Sequence, residues 1–427
     1  MSRLVAVVGG GYSGTIAAAE LARLGQDVVL VERSGRFAAG AAYGTREPVH
    51  LLNVRARNMS AFDGDPEHFL RWVEEQGLGD AATFVPRREY HRYIGGILEQ
   101  AVASGHVRLI AGEAVALEDG ALLLADGTRL ACDAAVLAGG NYPSRLPSLL
   151  RGTGAVENPW GADGAAALKA LAGQDGDVLL LGTGLTMVDV ALTLADAGFQ
   201  GRMIATSRRG LVPRGHDTVG APPLPAPLPA GLLELLRQVR AAAGAGDWRP
   251  AVDSLRPVSR DVWQGLDMAE KKRFLRHLRP WWDVHRHRIA PPVAARIAAL
   301  IDQGRLEVIP GRIRSFADGE VTIGLRGGGE AKRHVGGVVN CTGPEGSIAQ
   351  VEDPLICQLL AEGQARADAL GIGIDVDGQS RVIDAGGGAS KRLYALGPLT
   401  RGTFWEIVAV PDIRSQARRV AEAIAAY

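Results

Sequence analysis

Three cysteines stand in 427 residues, Cys132, Cys341 and Cys357, and no two of them are spaced as Cys-x-x-Cys. A disulfide framework is therefore excluded, as is a vicinal redox pair, and a reducing cytoplasm is the expected compartment. Neither sign of charge is in excess: Lys+Arg 47 balances Asp+Glu 47. That argues against a protein whose main task is neutralising phosphates along nucleic acid. Lysine itself is scarce, so positive charge is carried almost entirely by arginine. No apolar run reaches the roughly eighteen residues of a membrane span. The apolar start before Gly9 is too short for a signal-peptide core. A hydrophobic content of 47% with 22% charged residues excludes global disorder.

Glycine, by contrast, is abundant: 56 residues, about 13% of the chain and nearly twice the usual share. The length suits two domains of roughly 100–200 residues each. Leu4-Val5-Ala6-Val7-Val8 reads as a buried parallel strand. Gly9-Gly10-Gly11-Tyr12-Ser13-Gly14 follows, then a helix expected from Thr15 to about Leu24, stopped by Gly25. A second strand, Asp27 to Val31, ends in Glu32. Strand, Gly-x-Gly-x-x-Gly, helix, strand and acid make up the dinucleotide fingerprint in order. The glycines permit the turn, the approach of backbone to a pyrophosphate, and close helix–strand packing. The helix N-terminus offers free N–H groups to the phosphates, and Glu32 would accept hydrogen bonds from ribose hydroxyls.

The same grammar returns about 170 residues later. Asp177 to Leu181 is a strand, Gly182-Thr183-Gly184-Leu185-Thr186-Met187 the turn, and a helix follows to about Ala197, with a strand from Arg202 to Thr206. Met187 replaces the third glycine, which implies relaxed packing there. Where Glu32 stands in the first copy, the second reads Ser207-Arg208-Arg209. Arginines suit a ribose 2′-phosphate, so NADPH is expected over NADH, with solvated surface arginines as the competing reading. Asp126-Gly127 marks a hairpin leading to the strand Ala134–Leu137 and Gly139-Gly140. Asp318-Gly319 and Gly327-Gly328-Gly329 mark another pair, leading to Val338-Val339-Asn340 and Gly343-Pro344. Two copies closed in the same way imply two dinucleotide-binding domains. Between them, Ala221 to Pro229 reads as a polyproline-like loop, followed by a helical stretch with Trp248, Trp263, Trp281 and Trp282. That stretch ends in His285-Arg286-His287-Arg288, which lacks further ligands at metal-binding spacing.

Two fingerprints in this order, the first ending in Glu and the second in Arg, resemble the flavoproteins with two dinucleotide-binding domains. Longer strings resemble a bacterial FAD/NAD(P)-binding protein family, related to flavin-containing and N-hydroxylating monooxygenases. They include His50-Leu51-Leu52-Asn53-Val54, Phe84-Val85-Pro86-Arg87-Arg88, Asn158-Pro159-Trp160 and Gly182-Thr183-Gly184-Leu185-Thr186-Met187-Val188-Asp189. Trp282-Asp283-Val284-His285-Arg286-His287-Arg288 and Thr403-Phe404-Trp405-Glu406 complete them. The resemblance implies an α/β chain in which FAD binds a domain formed by residues 1–155 and 346–427. NADPH would bind the domain of residues 156–345, inserted in the first, with a helical insertion at about 220–300.

It further implies an FAD site at Gly9, Gly11, Tyr12, Ser13, Gly14, Glu32, Arg33 and Gly139, and an NADPH site at Gly182, Gly184, Leu185, Thr186, Ser207, Arg208, Arg209 and Gly343. The segment Tyr43 to Ser60 would pass the isoalloxazine ring, with Asn53, Met59 and Ser60 as catalytic candidates. Gly397, Thr403 and Trp405 would lie at the flavin edge, Trp405 over the ring. For each of these side chains, ordinary packing is the competing role. Arg87, Arg88 and Tyr90 would lie near cofactor or substrate. Electrons from NADPH would pass to flavin. With no cysteine pair, two outlets remain: oxygen, through a C4a-(hydro)peroxide that oxygenates a small, amine-bearing substrate, or direct transfer to an organic or protein acceptor.

Overall fold

Val5, Ala6 and Val7 have almost no exposed surface, as expected of a strand covered on both faces. In the computed structural model, which describes residues 3–224, 231–244 and 246–426, this strand is β1 (Leu4–Val8). It is followed by β2 (Asp27–Glu32), β3 (Val107–Ala111), the hairpin strands β4 (Ala114–Glu118), β5 (Ala121–Leu124) and β6 (Arg129–Ala131), and β7 (Ala134–Leu137). The first fingerprint helix, Tyr12–Arg23, begins three residues earlier than the sequence suggests. Gly11 is already its N-cap, so the helix takes up residues at the first position where φ and ψ allow it.

The second half repeats the plan. It contains β8 (Val178–Leu181), β9 (Met203–Ser207), β10 (Leu306–Ala317), β11 (Glu320–Leu325), β12 (Glu330–His334) and β13 (Gly337–Asn340). The chain then returns to the first sheet through β14 (Arg381–Ile383) and β15 (Ala389–Ala395). The sheet orders are β14-β15-β7-β1-β2-β3 and β12-β11-β10-β9-β8-β13. Read outward from the fingerprint strand, β7-β1-β2-β3 and β13-β8-β9-β10 are the same parallel arrangement.

In each half a helix precedes the third strand, Arg87–Ala103 in one and Pro291–Asp302 in the other. The segment before that helix is where the copies differ. In the first it is the loop-rich stretch 33–86. In the second it holds the helices Leu232–Ala243, Arg249–Asp253, Ser259–Gly265, Met268–Arg273 and Arg279–Arg286. The proline-rich stretch shows no regular element from Ala221 to Leu224, and its remainder, 225–229, lies outside the described residues. The hairpins differ too. β4, β5 and β6 form a separate sheet, whereas β11 and β12 extend the second parallel sheet through the long strand β10.

The two strand-end turns meet where the chain passes between halves. Pro143 and Pro344 form an isolated antiparallel bridge, and the Glu345 N–H donates to the Tyr142 carbonyl at 2.9 Å. The last helix, Val410–Ala425, packs against Tyr12–Arg23. Both sheets thus point their fingerprint turns toward the junction. Among the described residues no helix is long and apolar enough to cross a membrane.

Candidate functional site

The first turn is built so that only glycine fits. Gly9 has φ +105°, and a Cβ on it would lie 2.5 Å from the Ala138 carbonyl oxygen at the end of β7. A Cβ on Gly14 would lie 1.8 Å from the Gly9 oxygen, so helix and strand are in backbone contact. The helix that follows has no side-chain cap and no acid in its first turn. Its N–H groups and positive dipole end are thus left for an anion. Glu32 ends β2 with one carboxylate oxygen accepting from the Gly10 N–H at 2.8 Å. The other accepts from the Ser34 N–H and hydroxyl. A carboxylate has about four acceptor positions, so capacity for a ribose hydroxyl remains. Arg33 is exposed, and Gly139 borders the turn beside Tyr142.

Tyr12 and Ser13 are buried, and Tyr12 donates to the Val410 carbonyl at 3.4 Å. Gly397, at φ +65°, leaves no room for a Cβ against Ser13 Oγ. The C-terminal return thereby closes on the first turn.

The second turn has the same architecture with different chemistry. A Cβ on Gly182 (φ +122°) would meet the Cys341 carbonyl oxygen at 2.2 Å, matching Gly9 against Ala138. Gly184 caps the helix Leu185–Asp196, again with no acid in its first turn; Leu185 and Thr186 are half-buried. Met187 is fully buried in the second core rather than opening the turn. Thr183 donates to the Leu211 carbonyl at 2.6 Å, so the Ser207 hydroxyl, 2.8 Å away, must donate to Thr183. Ser207 is thus fixed at the end of β9. Beyond it Arg208 is exposed and Arg209 half-buried, and neither has a carboxylate partner among the described residues. Gly343, at φ +85°, forms the strand-end turn.

Between the turns lies a polar junction that the sequence reading did not identify. Arg87 holds Asp189 on the second fingerprint helix through two bonds, 2.6 and 3.4 Å, with 16% and 8% of the side chains exposed. His50 Nε2 lies 3.1 Å from the Asp189 carbonyl and 2.9 Å from Thr193 Oγ1, and its Nδ1 2.7 Å from Thr45 Oγ1. A carbonyl only accepts, so Nε2 carries the proton and Nδ1 accepts from Thr45. Burial agrees, pushing the His50 pKa below its ordinary value and keeping the ring neutral. His216 donates to the Asn53 carbonyl at 2.9 Å. Burial first, then nearby arginines, lower its pKa to about 4. Arg55 donates to the Asp217 carbonyl at 2.7 Å. His50, Arg87 and Asp189 all stood in motif strings. No local pattern signals that they meet.

Several candidates are engaged in packing and hydrogen-bond contacts within the chain. Met59 is buried in the first core, and its carbonyl accepts from Tyr90, itself fully buried. Ser60 has no exposed surface. Its hydroxyl is committed to the Asp65 and Phe62 carbonyls, which tie the 60–65 turn. Asn53 is half-buried and has the more open side chain of the three. Arg88 faces Glu89 at the surface. Thr403 donates to the Val376 carbonyl at 3.2 Å. Trp405 stacks on Trp263 of the helical insertion at 4.7 Å and 24°. It therefore turns toward the insertion, where the larger apolar contact lies.

The neighbouring Glu406 is deeply buried against Trp282, Arg286 and His287. Burial opposes its charge, but His287, Arg286 and Trp282 outweigh that and hold its pKa at about 2. His285 instead meets the Trp281 carbonyl, so the two histidines of the His-Arg-His-Arg string serve different contacts.

Residues 6–142 match the family described as FAD-NAD(P)-binding. The whole fold is shared with solved flavoprotein structures. An ornithine hydroxylase from Pseudomonas aeruginosa aligns over 100% of this chain and 99% of its own, at TM-score 0.67 and 16% identity. An L-lysine 6-monooxygenase from Pseudomonas syringae aligns over 99% of both chains, at 0.65 and 18%. A cadaverine monooxygenase from Erwinia amylovora, solved bound to FAD, covers 99% of this chain and 94% of its own, at 0.67 and 14%. The architecture is thus one that these three structures share.

Proposed function

We propose that this chain is an FAD-dependent monooxygenase that oxidises NADPH and hydroxylates a small, amine-bearing molecule. The observation that carries the reading is the pairing of two like-built nucleotide turns of opposite selectivity, Glu32 at one and, at the other, Arg208 and Arg209, which have no carboxylate partner among the described residues. Support comes from the fold shared with ornithine, lysine and cadaverine monooxygenases.

The residues present fit both groups. The Gly9–Gly14 turn and the uncapped helix Tyr12–Arg23 would hold the FAD pyrophosphate. Glu32 would accept from the adenosine ribose. The second turn would hold the NADPH pyrophosphate, with Ser207, Arg208 and Arg209 on the 2′-phosphate. Bound FAD supplies the redox chemistry and the activation of oxygen. The chain's own part is to fix both nucleotides in one frame through the Arg87, His50 and Asp189 contacts. It also closes the first turn with Gly397 and the C-terminal helix, which limits water. Asn53, on the loop between the turns, is the side chain left to orient a polar group there.

Purification with retained FAD, NADPH oxidation faster than NADH oxidation, and oxygen uptake matched by a hydroxylated amine are the expected results. Loss of FAD, or indifference to the 2′-phosphate, would overturn the reading. Electrons delivered to a protein acceptor without a hydroxylated product would replace it with a reductase.

A further inference from the structure

The helices between β9 and Pro291–Asp302 do not close on one another. They leave a half-open pocket of about 200 Å³ walled mainly by apolar side chains, among them Leu235, Val262 and four of the chain's seven tryptophans: Trp263, Trp281, Trp282 and Trp405. Apolar space of this volume accommodates benzene-sized molecules.

Trp405 sets this cavity apart from a packing fault. It belongs to the C-terminal return, not to the insertion, and its backbone is held at φ +48°, ψ −77°, a costly conformation for so bulky a residue. Its indole nitrogen is buried without a hydrogen-bond partner among the described residues. From the same wall a chain of contacts leads to the first nucleotide turn. Trp282 donates to Glu406 at 2.7 Å, the residue after Trp405. Arg256 bonds Asp412 at 3.2 Å, at the start of the helix whose Val410 carbonyl accepts from Tyr12.

We propose that this pocket binds an apolar portion of the substrate, an alkyl chain of about six to eight carbons or one aromatic ring, with Trp405 of the C-terminal return as one of its walls. The inference rests on the monooxygenase reading and adds that the molecule is lipophilic at one end.

The test titrates 1-alkanols from butanol to decanol, and indole, against FAD-loaded protein, read by tryptophan fluorescence, with cadaverine and ornithine as polar controls. The expected result is saturable one-to-one binding that tightens about three- to fourfold per methylene, levels off near octanol, and is absent with the controls. Leu235→Trp and Val262→Phe, which fill the void, should abolish it while FAD content and melting temperature stay near wild type. Affinity independent of chain length, or unchanged binding in both variants, overturns the proposal. Chain-length-dependent binding without NADPH oxidation would remove the monooxygenase reading alone, and NADPH-driven hydroxylation without such binding would remove only the cavity.

Discussion

Asp189 and Arg87 show how one residue's worth depends on its surroundings. Both charges are largely withdrawn from water, so removing one leaves the other uncompensated. Arg87→Ala should lower stability by about 3–5 kcal/mol, seen as a fall in denaturant midpoint. Adding Asp189→Ala should cost less than the sum of the single changes. Arg208 and Arg209 are the opposite case: exposed and half-buried, without a carboxylate partner among the described residues. Replacing both with Ala should raise KM for NADPH about tenfold to a hundredfold, the worth of charge-assisted hydrogen bonds, and leave KM for NADH unchanged. Gly9 and Glu32 are legible in the sequence because turn chemistry and strand-end position are local. Met59 and Ser60 are not, since their burial is decided by the helix Arg87–Ala103 and the C-terminal helix, both remote in sequence.

At the scale of elements, the two fingerprints share a plan and differ in how tightly helix meets strand. Gly14 touches the Gly9 backbone, whereas its counterpart Met187 fills the second core. Gly14→Ala should therefore displace the first helix and abolish FAD retention, measured by flavin absorbance after purification. Met187→Ala should instead leave FAD bound and cost about 2–5 kcal/mol of stability. Strands and helices of both βαβ units can be read from residue type and spacing. That one hairpin stands alone while the other joins the parallel sheet cannot, because the merger depends on β10 continuing past Pro310 to pair with β11. The direction of Trp405 was hidden for a similar reason. Its partner, Trp263, lies more than a hundred residues away.

For the whole molecule, the junction ties folding to pH. The folded pKa of His216 is about 4 against an ordinary 6.5, and that of His50 is also lowered. Between the two values the unfolded chain holds a proton that the folded chain refuses, so stability falls as pH drops through that window. Glu406 adds a second stage. Its contribution is complete above 4.5 and disappears as pH falls toward about 2. Melting temperature should decline from pH 6.5 downward, and His216→Gln, which keeps a donor for the Asn53 carbonyl, should flatten the upper part of that decline.

Asp189 and Thr193 lie four residues apart, on one face of a single helix. His50 Nε2 meets the Asp189 carbonyl and the Thr193 hydroxyl, while Arg87 takes the Asp189 carboxylate. Two anchors, an imidazole on the helix backbone and a guanidinium on its carboxylate, resist twisting as well as separation. The alignment of the two glycine turns is therefore settled when the chain folds, and under the proposed function each catalytic round would begin from an assembled frame. The orientational entropy of bringing the halves together is lost once per molecule rather than once per turnover.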